Sequence, residues 1–206
     1  MEKNEQPRFQ RDRNSMAFFR GFLRKPEVVA SVIPSSRYLE KRIVEACDVH
    51  DAKLVVELGP GTGGTTHALL QAMPADATLL AIDVESDFVR MLNAFGDDRL
   101  VAHCGRAQDI ASILADHGLP APDVVVSGIP FSTISHAQGE EIIRRVWQSL
   151  KPGGKFVAYQ FRDRVAMLGR KLLGAPTSRL ELRNVPPMRV YQWFKDAVVE
   201  AHDAAA

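Results

Sequence analysis

Val55-Val-Glu-Leu-Gly-Pro-Gly-Thr-Gly-Gly-Thr-Thr-His-Ala-Leu-Leu70 passes from an apolar run through a glycine-rich turn into helix-forming residues. The run Leu54 to Leu58 predicts a buried strand, and the glycines at 59, 61, 63 and 64 predict a sharp turn after it. Without side chains, such a turn lets a ligand come close to the backbone. The helix that follows aims its free N–H groups and positive dipole end at that ligand. Asp83 stands 20 residues beyond Gly63, at the end of a second strand-like run, Thr78 to Ile82. At that separation a carboxylate can accept hydrogen bonds from a ribose. The competing interpretation is a helix-packing glycine turn with a capping aspartate, which needs no ligand.

Glu57 narrows the choice of ligand. The segment Glu57-Leu58-Gly59-Pro60-Gly61-Thr62-Gly63 resembles the first motif of S-adenosylmethionine-dependent methyltransferases. In that family the acidic residue is associated with the methionine end of the cofactor, whose amino group is cationic. A dinucleotide would gain nothing from a carboxylate beside its phosphates. The resemblance implies S-adenosylmethionine as cofactor and S-adenosylhomocysteine as product. Glu57, Gly59, Pro60, Gly61, Thr62, Gly63, Asp83 and Val84 would form the cradle, with Ser35 and Ser36 contributing from upstream.

A chain of 206 residues is one domain by size. Its 46% hydrophobic and 25% charged content is that of an ordinary globular protein. Cys47 and Cys104 have neither metal-ligand spacing nor disulfide density, which points to a reducing cytosol and no metal. No secretory leader or membrane-spanning run is expected. The net charge of +1 is unevenly spread. Residues 1–26 hold seven Lys/Arg against three Asp/Glu, and residues 161–190 hold seven against two. Two basic segments on an acidic body suggest an anionic partner, with merely solvated faces as the alternative.

Along the chain, residues 1–26 read as a basic segment with a short amphipathic helix over Ser15 to Lys25. Phe19, Phe22 and their apolar neighbours share an arc of roughly 160°, flanked by Arg20 and Arg24. So short a helix must dock, either as a lid on the protein itself or on a membrane surface. Four excess basic charges contribute at most about 4 kcal/mol at an anionic surface, enough for reversible association. Residues 27–196 read as the main domain and 197–206 as a tail. Ser35 and Ser36 cap a helix over Arg37 to Cys47. Helices are then expected to about Met73, over Asp87–Phe95, Gln108–His117 and His136–Leu150. Strands are expected at Leu100–Cys104, Asp123–Ser127 and Lys155–Phe161, besides the first two. This alternation implies an α/β fold, a mostly parallel sheet with helices on both faces. Arg179–Val185 and Met188–Phe194, around Pro186-Pro187, read as a late antiparallel strand pair.

In open α/β sheets the ligand lies across the carboxyl ends of the strands. After the third strand, related methyltransferases often carry an aspartate for the adenine amine where Arg106 stands. Ala107 and Gln108, or Asp109, are then left to contact the adenine. After the fourth strand, Ser127-Gly128-Ile129-Pro130-Phe131 resembles the Asn-x-Pro-Tyr stretch of ribosomal RNA adenine dimethylases, with Gly128 in place of asparagine. An adenine amine needs a polar side chain to localise its lone pair, and glycine offers only a carbonyl. An aliphatic amine needs deprotonation instead, which at pH 7 costs roughly 4–5 kcal/mol from a reference near 10.4. His136 is the histidine nearest this turn and is the candidate base, with an ordinary surface histidine as the alternative.

Taken in order, Ile33-Pro34-Ser35-Ser36, the Glu57 motif, Ser127-Gly128-Ile129-Pro130-Phe131, Lys151-Pro152-Gly153-Gly154-Lys155-Phe156 and Asn184-Val185-Pro186-Pro187 with Val190-Tyr191 resemble bacterial phospholipid N-methyltransferases over residues 27–194. The resemblance implies a Rossmann-like class I methyltransferase fold with a seven-stranded sheet. It also implies stepwise methylation of phosphatidylethanolamine toward phosphatidylcholine at the cytoplasmic leaflet, by a peripherally bound protein. Ser127, Gly128, Pro130, Phe131, His136 and Tyr159 would form the catalytic pocket. Tyr159, Phe131 and Tyr191 could face a methylated ammonium, each gaining about 0.5–2 kcal/mol, although core packing would also explain them. Arg162 and Arg164, with Arg170 and Lys171, could hold the lipid phosphate, or form a solvated helix face. The expected partners are an anionic phospholipid surface and a lipid substrate, with no nucleic acid, and the expected state is a monomer. An rRNA adenine methyltransferase, a small-molecule N- or O-methyltransferase and a non-catalytic lipid-binding protein are the rivals.

Overall fold

The computed structural model describes residues 35–197. The N-terminal amphipathic helix, with Phe19, Arg20, Phe22 and Arg24, lies outside the described residues. In chain order the elements are α1 (Arg37–Cys47), β1 (Leu54–Leu58), α2 (Gly64–Ala72), β2 (Thr78–Asp83), α3 (Ser86–Asn93) and β3 (Leu100–Cys104). A 3₁₀ turn, Ala107–Asp109, leads into α4 (Ile110–Asp116) and then β4 (Val124–Ser127). They continue with α5 (His136–Ser149), β5 (Lys155–Gln160), α6 (Arg164–Leu173), β6 (Thr177–Glu181) and β7 (Met188–Phe194).

One seven-stranded sheet runs β3-β2-β1-β4-β5-β7-β6, parallel through β5, with β7 antiparallel to both β5 and β6. The seven-stranded, mostly parallel expectation therefore holds. The pleat sends alternate residues to opposite faces. Val56, Leu58, Val125, Phe156 and Ala158 meet α4, α5 and α6 in one core; Val55, Val126, Val157 and Tyr159 meet α1 and α2 in the other. β1, β4 and β5 are buried on both faces, as a covered parallel strand must be.

Most boundaries shift from expectation by a residue or two; two larger differences bear on the site. β6 ends at Glu181 instead of Val185, because side chains take over the hydrogen bonds that a longer ladder would need. Glu181 accepts from the Arg183 backbone N–H at 2.9 Å, and Asn184 donates to the Pro186 carbonyl at 2.9 Å. The basic run after β5 forms α6, whose inner face buries Val165 and Leu168 and whose length carries Arg170 and Lys171 away from the sheet's carboxyl edge.

The reversed course of β7 matters for the site. Its first residues pair with the last of β5, Arg189 with Gln160, so the β6–β7 turn lies at the carboxyl edge of the parallel strands. The turn and α1 are tied together there. Asn184, 2% exposed, accepts the Ser36 backbone N–H at 2.9 Å, while the Ser36 hydroxyl caps α1 by accepting from Leu39 N–H at 3.3 Å.

Candidate active site

The turn after β1 is built as its glycines predict. Gly59, Gly61 and Gly63 have φ of 71°, 55° and 83°, the left-handed region that favours glycine. Gly63 is doubly required, since a Cβ there would lie 2.9 Å from Leu92 and clash with the Phe95 ring. The Gly59 N–H donates to the Ile82 carbonyl at 2.9 Å, which fastens the turn to the end of β2. α2 then begins at Gly64, with its N-terminus facing the carboxyl edge.

Glu57 lies at the bottom of this turn, wholly buried on β1. One carboxylate oxygen accepts from the Thr66 hydroxyl at 2.6 Å; the other has no hydrogen-bond partner. Burial pushes its pKa up to about 7, with Thr66 opposing and Asp83 adding to the rise. Thr65 and the Tyr159 hydroxyl stand 3.4 Å apart beside it. Burial, and then the nearby Glu57, raise the Tyr159 pKa, so its phenol stays protonated. Glu40 of α1 reaches the same place: a Cβ on Gly64 would lie 2.7 Å from its Oε1.

Asp83 closes the other side. It is 7% exposed, accepts from Gly61 N–H at 3.2 Å and Glu85 N–H at 3.0 Å, and its pKa is raised by burial. Val84, directly after it, is 63% exposed and offers an apolar face to a flat ring. Across from it Ala107 is buried and Gln108 half-buried, whereas Asp109 is engaged by Arg106 at 3.0 Å. Gln108 is therefore the freer of the two polar candidates for an adenine.

These residues fit S-adenosylmethionine. A buried carboxylate oxygen without a partner is an energetic liability that a cationic amino group would relieve. Asp83 would accept hydrogen bonds from ribose hydroxyls, and Val84 would lie against a purine. Bound there, the cofactor supplies a methyl group made electrophilic by sulfonium.

The loops after β4 and β5, expected to form the acceptor side, adjoin the glycine turn. Gly128 N–H donates to the Leu58 carbonyl at 2.9 Å. A Cβ at position 128 would overlap the Tyr159 hydroxyl and lie 2.9 Å from the Gly59 carbonyl oxygen. Gln160, 4% exposed, donates to the Ile129 carbonyl and so fixes the loop that carries Pro130. Ser127 is buried, its hydroxyl accepting from Ile129 N–H at 3.3 Å. His136, at the first position of α5, is exposed.

The three aromatics proposed around an ammonium do not share a pocket. Tyr159 faces the α1 and α2 side, whereas Phe131 and Tyr191 are packed in the core on the other side. The reason is register: Tyr191 pairs with Ala158, and so projects from the face opposite Tyr159. Lys171 is paired with Glu140 at 2.7 Å. Arg162 is exposed beside the edge, and Arg164 holds its Nε buried without a hydrogen-bond partner. Ser36 serves the α1 cap and Asn184, and Ser35 is half-buried next to it.

Sequence inspection missed Thr65, Thr66, Glu40, Gln160 and Asn184. The Thr65-Thr66 pair sits where the first turn of α2 meets Glu57, which spacing from the motif could have shown. Glu40 and Asn184 reach the site only through tertiary packing; no local pattern marks Glu40, and the motif that holds Asn184 does not reveal its contact with Ser36.

The fold is that of class I methyltransferases, and S-adenosylmethionine is the cofactor. Residues 56–156 match the methyltransferase-domain family. Over 177 residues the chain is 29% identical to an ornithine lipid N-methyltransferase of Singulisphaera acidiphila, covering 84% of this chain and 92% of that protein. A ribosomal RNA small subunit methyltransferase A of Laribacter hongkongensis is 41% identical over 66 residues, 32% of this chain and 24% of that one. Among solved structures, the O-methyltransferase TomG of Streptomyces achromogenes, in complex with S-adenosylmethionine, superposes with a TM-score of 0.64 at 17% identity, over 91% of this chain and 92% of that one. Together these findings support methyltransferase activity.

Proposed function

We propose that the protein N-methylates the aliphatic amine of a membrane-lipid head group, with phosphatidylethanolamine and its methylated intermediates, toward phosphatidylcholine, as the acceptor series. The observation that carries this is at position 128. The Tyr159 hydroxyl and the Gly59 carbonyl fill the space a side chain would need, so no side-chain amide at that position can localise a nucleobase lone pair. An aliphatic amine, with its lone pair already localised, requires only loss of a proton and alignment. Burial in an apolar setting lowers the pKa of an ammonium. Alignment with the sulfonium and exclusion of water supply the remaining acceleration.

The similarity to the ornithine lipid enzyme spans nearly that protein's whole length, whereas the ribosomal RNA match is confined to about a quarter of its relative. That similarity favours a second acceptor of the same chemistry, an amine carried on an ornithine lipid. Arg162 and Arg164 stand at the edge where a head-group anion would lie. Residues 1–26, basic and rich in phenylalanine near Phe19 and Phe22, would add reversible attachment to an anionic surface. No described helix is long and apolar enough to cross a membrane.

The test is transfer of a labelled methyl group to vesicles of phosphatidylethanolamine, vesicles of ornithine lipid, 16S ribosomal RNA and soluble amines, each alone. Label in either lipid supports the proposal and identifies the head group. Label in RNA or soluble amine, with lipid unlabelled, overturns it. Replacing Phe19 and Phe22 with serine should reduce sedimentation with anionic vesicles while leaving cofactor affinity intact.

A further inference from the structure

The β6–β7 turn has inverted polarity. Its polar residue, Asn184, is 2% exposed, while Leu182 and Val185 on either side are 69% and 86% exposed. The arrangement is not a loose loop. Asn184 bonds both Ser36 and the Pro186 carbonyl, and Glu181, also buried, accepts from Arg42 at 2.9 Å and Arg183 at 2.8 Å. The Arg183 guanidinium further stacks over the Tyr38 ring at 4.2 Å. These contacts hold the polar groups in and the apolar side chains out.

Phe161, 60% exposed directly after β5, stands at the same edge of the sheet. Only β5 lies between β4, which carries the acceptor loop, and β7, a gap of about 10 Å at ordinary strand spacing. The apolar residues are interleaved with cations: Phe161 with Arg162, Leu182 with Arg183, and Arg189 at the start of β7, all three arginines exposed. Of the nearby acids, Glu181 is consumed by its two arginines, and Asp163 is the exposed one. The core of a protein–protein interface is one contiguous, closely packed apolar patch inside a polar rim. Separate apolar tips beside arginines fit instead a bilayer, with its apolar interior beneath a layer of phosphate.

We propose that this lip, formed by Phe161, Leu182 and Val185 with Arg162, Arg183 and Arg189, seats the folded domain on an anionic lipid bilayer. It rests on the lipid-acceptor assignment only in its purpose: a lip at the carboxyl edge turns the acceptor loop toward the head groups. The contact is additional to any made by residues 1–26.

The experiment places an environment-sensitive fluorophore on the full chain. Cys47 is buried and Cys104 exposed, so labelling starts from Cys104→Ser. Single cysteines are added as Leu182→Cys, Val185→Cys and, as a control at the opposite edge of the sheet, Asp51→Cys. Vesicles are phosphatidylcholine with and without phosphatidylglycerol, some carrying doxyl-quencher lipids. The lip predicts blue-shifted emission and quenching at 182 and 185, and neither at 51. It also predicts that Leu182→Ser with Val185→Ser lowers partition into the anionic vesicles about tenfold, with cofactor binding unchanged. Three results would each overturn it. The labels on vesicle-bound protein stay in water; they are already blue-shifted without vesicles, because the chain's own termini or a second copy cover them; or the double serine variant partitions as before. The acceptor assignment is tested separately by the fate of the methyl group. Methylated lipid with an aqueous lip removes this inference alone, and an inserted lip with methylated soluble amine removes the acceptor assignment alone.

Discussion

The Tyr159 hydroxyl, on β5, occupies the space in which a side chain at position 128, just after the neighbouring β4, would begin. Gly128→Ala would force the phenol and the Gly59 carbonyl apart, at a cost of about 1–3 kcal/mol, and would disturb the glycine turn with it. The expected outcome is a lower melting temperature and weakened cofactor binding. Adding Tyr159→Val to Gly128→Ala should recover part of the stability, since the clash with Gly59 remains. Additive effects in denaturant melts would show that the two positions are not coupled.

Glu57 gives a pH dependence with a definite sign. Its folded-state pKa is raised from an ordinary 4.5 to about 7 by burial, so the folded protein without cofactor holds a proton that the unfolded chain has released. The contribution to stability is present below about pH 4.5, declines as pH rises through the interval to about 7, and is then constant. A cationic amino group bound beside the carboxylate reverses the preference and expels the proton. Affinity for S-adenosylmethionine should therefore rise by up to about tenfold per pH unit below 7, with proton release detectable by calorimetry in buffers of different ionisation enthalpy. Glu57→Gln should bind more weakly and lose this dependence.

Asn184 joins the first helix to the last hairpin. Asn184→Ala would leave the Ser36 N–H and the Pro186 carbonyl without their partner, costing about 1–3 kcal/mol. Val185→Ser, one residue away and almost fully exposed, should leave stability nearly unchanged. Equal melting temperatures for the two variants would show that the tie between helix and hairpin contributes little.

Arg164 offers a test that separates binding from folding. Its Nε is buried without a hydrogen-bond partner, an arrangement that costs stability unless an anion arrives. Arg164→Met should retain or slightly raise the melting temperature and leave cofactor affinity unchanged. It should also raise KM for the proposed lipid acceptor several-fold. A drop in stability with unaltered KM would assign the side chain to the fold instead.

The order of strands and helices was legible because the pattern that encodes it is local. Leu54–Leu58, Leu100–Cys104 and Met188–Phe194 are strands at the limits their apolar residues suggest, and Ser36 starts its helix as a cap should. The glycine turn was legible for a related reason. Glu57, the glycines and Asp83 belong to two short stretches, and the structure brings them together as their spacing suggested, with Asp83 accepting from Gly61 N–H. The acceptor side was not. Whether Tyr159 or Tyr191 faces a pocket depends on which way β7 runs and on a register of one residue, and composition encodes neither. The end of β6 was misplaced because Glu181 and Asn184 bond their own neighbours, where a residue-by-residue reading sees continuing strand. The pairing of Asn184 with Ser36 joins two motifs far apart in sequence, each recognisable alone while their contact is not.

Because β7 runs backward between β5 and β6, a hairpin added late in the chain delivers its tip to the same edge of the sheet as the glycine turn laid down by the first strand. If the hairpin meets a lipid surface, as proposed, donor binding and surface contact would fall to separate stretches of one polypeptide. Substitutions in the hairpin would then alter the surface the molecule meets while the glycine turn stays as it was.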